Sequence, residues 1–238
     1  MPFTGIDLDR GQNFMSNKEL FDALVLKAGL KQEVYAKTLD AFNGFKREAN
    51  ALTEDYHKRE KQTKWPIPFE YKDRGTFEFE LKFGSDVLVF FMHTNVFEFS
   101  RDHEVMKTSY IRQDKQRSYC GIIHIFNFLA DSFKYNRTND IGYLIGRVFV
   151  NRESHYFIEG KREIGLLYHN FATAQLDARA IGSIVHSSIE YTLNFDLLTP
   201  PYDNMKEVTV LEMQTTLDNL QMRTGKRLGF KFQADELT

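Results

Sequence analysis

The sequence has little of what usually reveals a protein's class. Its single cysteine, Cys120, excludes an internal disulfide and any metal site built from several cysteines. No stretch approaches the ~18 consecutive apolar residues of a membrane-spanning helix. The N-terminal residues include Asp7, Asp9 and Arg10, where a secretory signal would be apolar. We therefore predict a cytoplasmic location and no membrane partner.

The chain also has no large excess of charge of either sign. The 31 Lys and Arg residues nearly balance the 33 Asp and Glu residues, and the formal net charge is -2. This balance disfavours bulk electrostatic capture of nucleic acid but leaves a local basic patch open. The sequence also lacks a Gly-rich phosphate loop, a Gly-x-Ser-x-Gly nucleophile motif and the His spacing of zinc hydrolases. We predict no cofactor and no bound metal.

Aromatic residues, by contrast, are abundant. The chain has 22 Phe and 11 Tyr residues beside 1 Trp. Each buried ring removes ~150–250 Å² of surface from water, so a chain of this composition forms strongly aromatic cores or interfaces. A sheet core rich in Phe is the first explanation, and an aromatic surface for a ligand or partner is the alternative.

Two helices are predicted before residue 64. Ser16 and Glu19 form a capping box, in which the Ser hydroxyl accepts from a helical N–H while the Glu carboxylate reaches back. The helix that this box begins is predicted over 17–28, with a stop at Gly29. A longer helix is predicted over 31–62, and Gly44 is the point at which a break in it would fall.

The longer helix carries a narrow apolar seam. Its members recur at alternating steps of three and four residues, as in a coiled coil. The predicted seam contains Tyr35, Phe42, Phe45, Ala49, Leu52 and Tyr56. A narrow stripe favours packing against one partner helix, which is either the first helix folded back or the same helix of a second subunit. The six residues are therefore the predicted interface of a homo-oligomer or of a complex with a partner protein.

The chain changes character at Pro66 and Pro68. Two prolines separated by one residue cannot continue a helix, so we predict a boundary between a helical region, 1–64, and a second domain, 65–238. From residue 76 onwards apolar and polar residues alternate, and short strands separated by turns indicate an antiparallel meander. Further strands are predicted over 163–168 and 228–232, and helices over 178–193, with Asp177 as the N-cap, and over 210–224.

These elements define the predicted fold class. It is α+β, with an N-terminal helical hairpin or long helix followed by an antiparallel sheet that the C-terminal helices cover. The seam, the excess of Phe and the lack of a convergent catalytic set together favour a non-catalytic interaction, structural or regulatory subunit. We expect it to self-associate or to bind a partner protein through the helical seam and aromatic surfaces.

A Mg²⁺-dependent nuclease is the first alternative function. Asp140 precedes one predicted strand, and Glu159 and Lys161 follow on the next, so a hairpin would let the two carboxylates hold the metal while the Lys supports the attacking water. The same Glu-x-Lys triplet occurs at 70–72 and 80–82, which makes the pattern weakly specific. A turn whose charges face water remains the competing explanation.

Non-enzymatic binding of nucleic acid is the second alternative. A polar segment between two predicted strands carries Arg101, Lys107, Arg112, Lys115 and Arg117. If these cations converged they would follow phosphates, while nearby tyrosines stacked on bases. Acidic residues are interleaved with them, so a solvated surface of mixed charge is the simpler interpretation.

Overall fold

The chain folds as a long helix packed across a seven-stranded sheet. A computed structural model describes residues 15–59, 64–160, 170–197, 199, 201–204, 206–207, 209–211 and 213. The helices are α1 (Asn17–Arg59), α2 (Ser109–Gln113), α3 (Ala130–Lys134) and α4 (Ala178–Leu193). The strands are β1 (Phe69–Asp73), β2 (Glu78–Phe83), β3 (Asp86–Met92), β4 (Phe97–Glu98), β5 (Tyr119–Leu129), β6 (Tyr143–Asn151) and β7 (Tyr156–Gly160).

The sheet is antiparallel throughout. Its strands follow the order β1-β2-β3-β5-β6-β7, and the short strand β4 pairs with the start of β5. Because side chains alternate along each strand, Phe79, Leu81 and Phe90 point to the face that α1 covers, where they are fully buried. The predicted α+β class is confirmed. None of the described helices has the unbroken apolar length that a membrane crossing requires.

The long helix α1 runs through the stop predicted at Gly29. It is continuous from Asn17 to Arg59, so the two helices predicted over 17–28 and 31–62 are one element. A glycine inside a helix costs only about 1 kcal/mol relative to Ala. Leu30 and Val34, directly after it, are buried in the structure, and this packing outweighs the cost.

The predicted seam lies against the chain's own sheet. Phe42, Phe45 and Ala49 are fully buried, and Tyr35, Leu52 and Tyr56 pack at the margin of the same core. The ring of Phe42 lies 5.5 Å from that of Phe79, and the ring of Phe45 lies 5.8 Å from that of Phe90. Phe42, Phe45 and Ala49, buried on the sheet, are therefore not available to a second helix. The part of the predicted interface that Tyr35, Leu52 and Tyr56 form stays a prediction. The boundary predicted at residue 64 falls between two elements that share one core.

Helix α4 packs on α1 where both helices carry glycine. A Cβ on Gly44 would lie 2.7 Å from Cδ1 of Ile181, and one on Gly182 would lie 3.2 Å from Oε1 of Glu48. Gly44 is therefore a position of close helix approach and not a break in α1. The N-cap Asp177, whose side chain accepts from the N–H of Ala180, fixes the start of α4 as the sequence predicts.

The second face of the sheet is partly covered by the segment between β4 and β5. Val105, Tyr110, Ile111, Cys120, Ile122, Phe149 and Phe171 form a separate buried cluster there. The polar segment predicted over 100–118 is thus ordered as two 3-10 turns and α2 around this cluster. The strands predicted over 163–168 and 228–232, and the part of the helix predicted over 210–224 that follows Met213, lie outside the described residues.

Candidate interaction surface

The first quarter of α1 extends beyond the rest of the chain that the structure describes. Every residue from 15 to 27 is exposed, and the first buried residue of the helix is Leu30. At 1.5 Å per residue the helical part of this stretch is ~16 Å long. We refer to residues 15–27 as the overhang. Tertiary packing within the described chain does not cover it.

Local signals hold the start of the overhang in a helix. The N–H and hydroxyl of Ser16 both donate to Oε2 of Glu19 at 2.8 Å, and the N–H of Glu19 donates back to the Ser16 hydroxyl at 3.3 Å. The hydrogen bond from the Ser16 backbone is the main cause that lowers the pKa of Glu19. The predicted capping box is confirmed, and it explains why this end of α1 begins at a defined residue without core contacts.

The overhang presents one apolar face. Leu20, Phe21, Leu24 and Val25 are 51%, 60%, 62% and 71% exposed. Their spacing of i, i+1, i+4 and i+5 places them on one side of the helix. Leu26 is 65% exposed but lies on the opposite side, 200° around the helix from Leu24 at ~100° per residue. The four residues on the shared side are the apolar stripe of the overhang.

A polar contact anchors the base of the overhang to the sheet. The Lys27 ammonium donates to the Tyr119 hydroxyl and lies 4.1 Å from the centre of that ring. The Tyr119 hydroxyl in turn donates to Oε2 of Glu98 at 2.7 Å. These contacts join α1 to β4 and β5 and so set the direction in which the overhang leaves the body.

An open cleft of about 460 Å³ lies where the overhang meets the body. It is lined by Lys31, Gln32, Tyr35, Thr94, Asn95, Val96 and Phe97. Phe97 is 38% exposed, so the cleft adds an apolar wall to the stripe. Lys31 and Tyr35 follow Leu20 and Leu24 by 11 residues, which is three helical turns and therefore the same side of α1. The stripe and the cleft form one continuous surface.

A second group of polar side chains crosses the other face of the sheet. His124 of β5 pairs in register with Arg147 of β6, and Arg147 pairs with Glu159 of β7. Arg147 donates to Oε2 of Glu159, whose Oε1 lies 3.1 Å from Nε2 of His103. Burial is the main cause that lowers the pKa of His124, and the charges of Arg147 and His93 add to it.

Of the two described residues of the predicted nuclease site, this row contains Glu159 and not Asp140. Glu159 is neutralised by Arg147, whereas Asp140 accepts from the Ser132 hydroxyl at 2.6 Å and pairs with Arg137 at 3.2 Å. Each carboxylate pairs with its own arginine, and the nuclease alternative stays a prediction. Lys161 lies outside the described residues. Among those that are described, no group of three or more His, Cys, Asp and Glu side chains is arranged to hold a metal ion.

The five predicted nucleic-acid contacts do not form one patch of free cations. The side chain of Arg117 donates to Oε1 of Glu153 at 2.9 Å and lies over the ring of Tyr110. Lys107 pairs with the neighbouring Glu104. The remaining three, Arg101, Arg112 and Lys115, are exposed. Arg117 thus joins this segment to the turn that carries Glu153, and the role of the five cations at a nucleic-acid surface stays a prediction.

Sequence reasoning did not identify the overhang as the exposed apolar surface. The stripe at 20–25 and the seam at 35–56 look alike as helical patterns, and both predict a buried face. What distinguishes them is where the sheet ends beneath α1, which depends on long-range packing. No family model, curated protein or solved structure matches this chain, so the surface is assigned from geometry alone.

Proposed function

We propose that the protein is a non-catalytic interaction subunit that self-associates through the overhang of α1. One observation carries this proposal: Leu20, Phe21, Leu24 and Val25 form a contiguous helical face on which each side chain is more than half exposed. The sequence predicted assembly through the seam at residues 35–56 of this helix. The proposal places the contact at residues 20–25 of the same helix.

The physical support is the cost of leaving this face in water. Fully burying a large apolar side chain contributes roughly 1.5–3 kcal/mol, so four of them form a substantial driving force for association. Contiguous exposed apolar patches on soluble proteins commonly mark interaction sites. The exposed Phe97 beside the cleft extends the patch with an aromatic surface. A cytoplasmic setting remains part of the proposal.

Light scattering on the purified chain tests the proposal with a matched pair of variants. Leu24→Glu places a charge on the stripe, and Leu26→Glu places the same charge on the opposite side of the same exposed helix. We expect the wild type and Leu26→Glu to give the mass of an oligomer and Leu24→Glu to give that of a monomer. Circular dichroism checks that both variants keep the helix.

Two results would overturn the proposal. One is a monomeric mass for the wild type up to ~100 µM, which is well above the dissociation constant of ~1 µM that an association free energy of ~8 kcal/mol implies. The other is an equal effect of the two glutamates, since the stripe would then have no special role.

A further inference from the structure

We infer that the partner of the overhang is a second copy of this chain in antiparallel orientation, with the first turn of each overhang lying over the cleft of the other copy. This inference rests on the proposed function and adds the geometry of the complex. It is based on three observations. The cleft adjoins only the C-terminal end of the stripe, the stripe has a small area, and the two halves of the helix around Leu24 differ in charge.

The area of the stripe is too small for a stable dimer by itself. Its four side chains expose roughly 100 Å² each, so two stripes facing each other bury ~800 Å² in total. Specific and stable interfaces start at about 1,200 Å². The missing area has to come from the adjoining surface, which is the cleft lined by residues 31–35 and 94–97.

Only an antiparallel pair brings the overhang to that cleft. In a pair centred on Leu24, Leu20 of one copy lies level with Ala28 of the other, and Ser16 lies level with Gln32, which is a cleft residue. In a parallel pair the two first turns lie beside each other, ~20 Å from either cleft along the axis. The parallel arrangement therefore buries the stripes and leaves both clefts open.

The charges of the helix favour the same orientation. Residues 17–24 contain Lys18, Glu19 and Asp22, a net charge of one negative, while residues 25–32 contain Lys27 and Lys31. An antiparallel pair sets the acidic half of one helix beside the basic half of the other, whereas a parallel pair sets like beside like. The dipoles of two antiparallel helices also oppose each other, which adds a small electrostatic preference for this orientation.

Oxidative cross-linking of single cysteine variants tests the orientation. A disulfide needs Cα atoms within ~7 Å of each other. We expect Leu24→Cys, at the centre, to form covalent dimers, and a mixture of Leu20→Cys and Ala28→Cys chains to form heterodimers. Leu20→Cys alone should give little product, because its two copies are offset by ~12 Å along the axis. The native Cys120 is 1% exposed and does not compete.

Leu26→Cys is the matched control, since it is as exposed as Leu24 but lies on the opposite side of the helix. Efficient dimers from Leu20→Cys alone, with no heterodimer in the Leu20→Cys and Ala28→Cys mixture, would show a parallel pair and overturn the inference. An oligomeric mass by light scattering would then leave the proposed function standing. A monomeric mass, by contrast, would end both.

A substitution inside the cleft tests its occupancy. Thr94 is exposed in the free chain, and Thr94→Trp would fill the cleft without entering the core. We expect the dissociation constant of the dimer to rise about tenfold or more, while Lys72→Trp, an exposed site on β1, leaves it unchanged. Equal dissociation constants for the two tryptophan variants would exclude the cleft from the interface.

Discussion

Thr38 of α1 lies directly on Gly121 of β5. A Cβ built on Gly121 would lie 2.1 Å from Oγ1 of Thr38, so the glycine leaves the space that the helix occupies. Thr38 is fully buried, and its hydroxyl donates to the carbonyl oxygen of Val34 at 2.8 Å. The missing side chain at residue 121 thus sets the distance at which α1 crosses the sheet.

The variant Gly121→Ala is expected to lower the free energy of unfolding by roughly 1–3 kcal/mol, because the new methyl group forces α1 away from the sheet. Gly29→Ala, on α1, is the control. No atom of the described residues lies within 4 Å of a Cβ at Gly29, so this change should stabilise the protein by up to about 1 kcal/mol. Urea unfolding measures both values. Equal stability of the wild type and Gly121→Ala would contradict the packing described.

His124 is expected to make the stability depend on pH in the range below about 6.5. Its ring lies between those of Phe91, at 6.1 Å, and Phe126, at 5.8 Å, and its Nδ1 is buried without a hydrogen-bond partner in the described part of the chain. Burial, then the charges of Arg147 and His93, lower its pKa below the usual 6.5. The unfolded chain therefore takes up the proton first, and stability falls as the pH drops below about 6.5.

The variant His124→Phe removes the titrating imidazole and places an apolar ring between those of Phe91 and Phe126. We expect the loss of unfolding free energy between pH 7.5 and pH 5.5 to be smaller than in the wild type, since the contribution of His124 is gone. Urea unfolding at the two pH values gives the comparison. The other six histidines remain in both proteins and form a common background. An unchanged pH dependence would count against a lowered pKa.

Glu153 joins the segment that contains α2 to the turn between β6 and β7. It accepts from the Tyr110 hydroxyl at 2.7 Å and from Nε of Arg117 at 2.9 Å. Burial by itself would raise the pKa of Glu153, but these two hydrogen bonds and the charge of Arg117 outweigh it, and the pKa is lowered. Burial is also the main cause that raises the pKa of Tyr110, so its hydroxyl stays a donor.

We expect Glu153→Gln to lower the free energy of unfolding at pH 7 by about 1–2 kcal/mol, since two hydrogen bonds to a charged group are weakened. A carboxylate with a lowered pKa stabilises the fold above its unfolded pKa, near 4.5, and loses that effect as the pH falls through the folded value. The difference in the free energy of unfolding between the wild type and the variant should therefore be smaller at pH 3.5 than at pH 7.

Glu104→Gln provides the control for this change. Glu104 is 84% exposed and pairs with Lys107 on the surface, and surface ion pairs contribute about 0–1 kcal/mol. Urea unfolding at pH 7 and pH 3.5 compares the two variants. If Glu153→Gln lowered the free energy of unfolding no more than Glu104→Gln does, the contacts of Glu153 would not hold the segment that contains α2.

Local patterns were enough to predict most of the fold. The capping box at Ser16 and Glu19, the N-cap Asp177 and the alternation in β2 depend only on neighbouring residues, and each lies where the sequence predicts. Gly29 and Gly44 show where local reasoning ends. A glycine ends a helix only if no packing continues beyond it, and both glycines are followed by buried residues of α1.

The candidate surface was less predictable, because it depends on which apolar stripe the sheet covers. Phe42 and Phe45 are buried and Leu24 is exposed, although all three occupy similar positions in a helical pattern. Which part of α1 becomes buried depends on long-range strand pairing. The sequence of α1 does not reveal the register of β3 with β5, so it does not show where the sheet beneath the helix ends. In the same way, the pairing of Glu159 with Arg147 depends on the register of β6 with β7.

The melting temperature of the protein is expected to rise with protein concentration. An association that buries the overhang in the folded state but not in the unfolded state stabilises the fold by mass action. We expect wild type and Leu26→Glu to melt higher at ~100 µM than at ~1 µM, because a hundredfold change in concentration amounts to ~2.7 kcal/mol. Leu24→Glu should melt at the same temperature at both concentrations, since its charged stripe does not associate. Differential scanning fluorimetry and calorimetry measure the melting temperature at the two concentrations. A concentration-dependent shift that persists in Leu24→Glu would place the association interface elsewhere on the molecule.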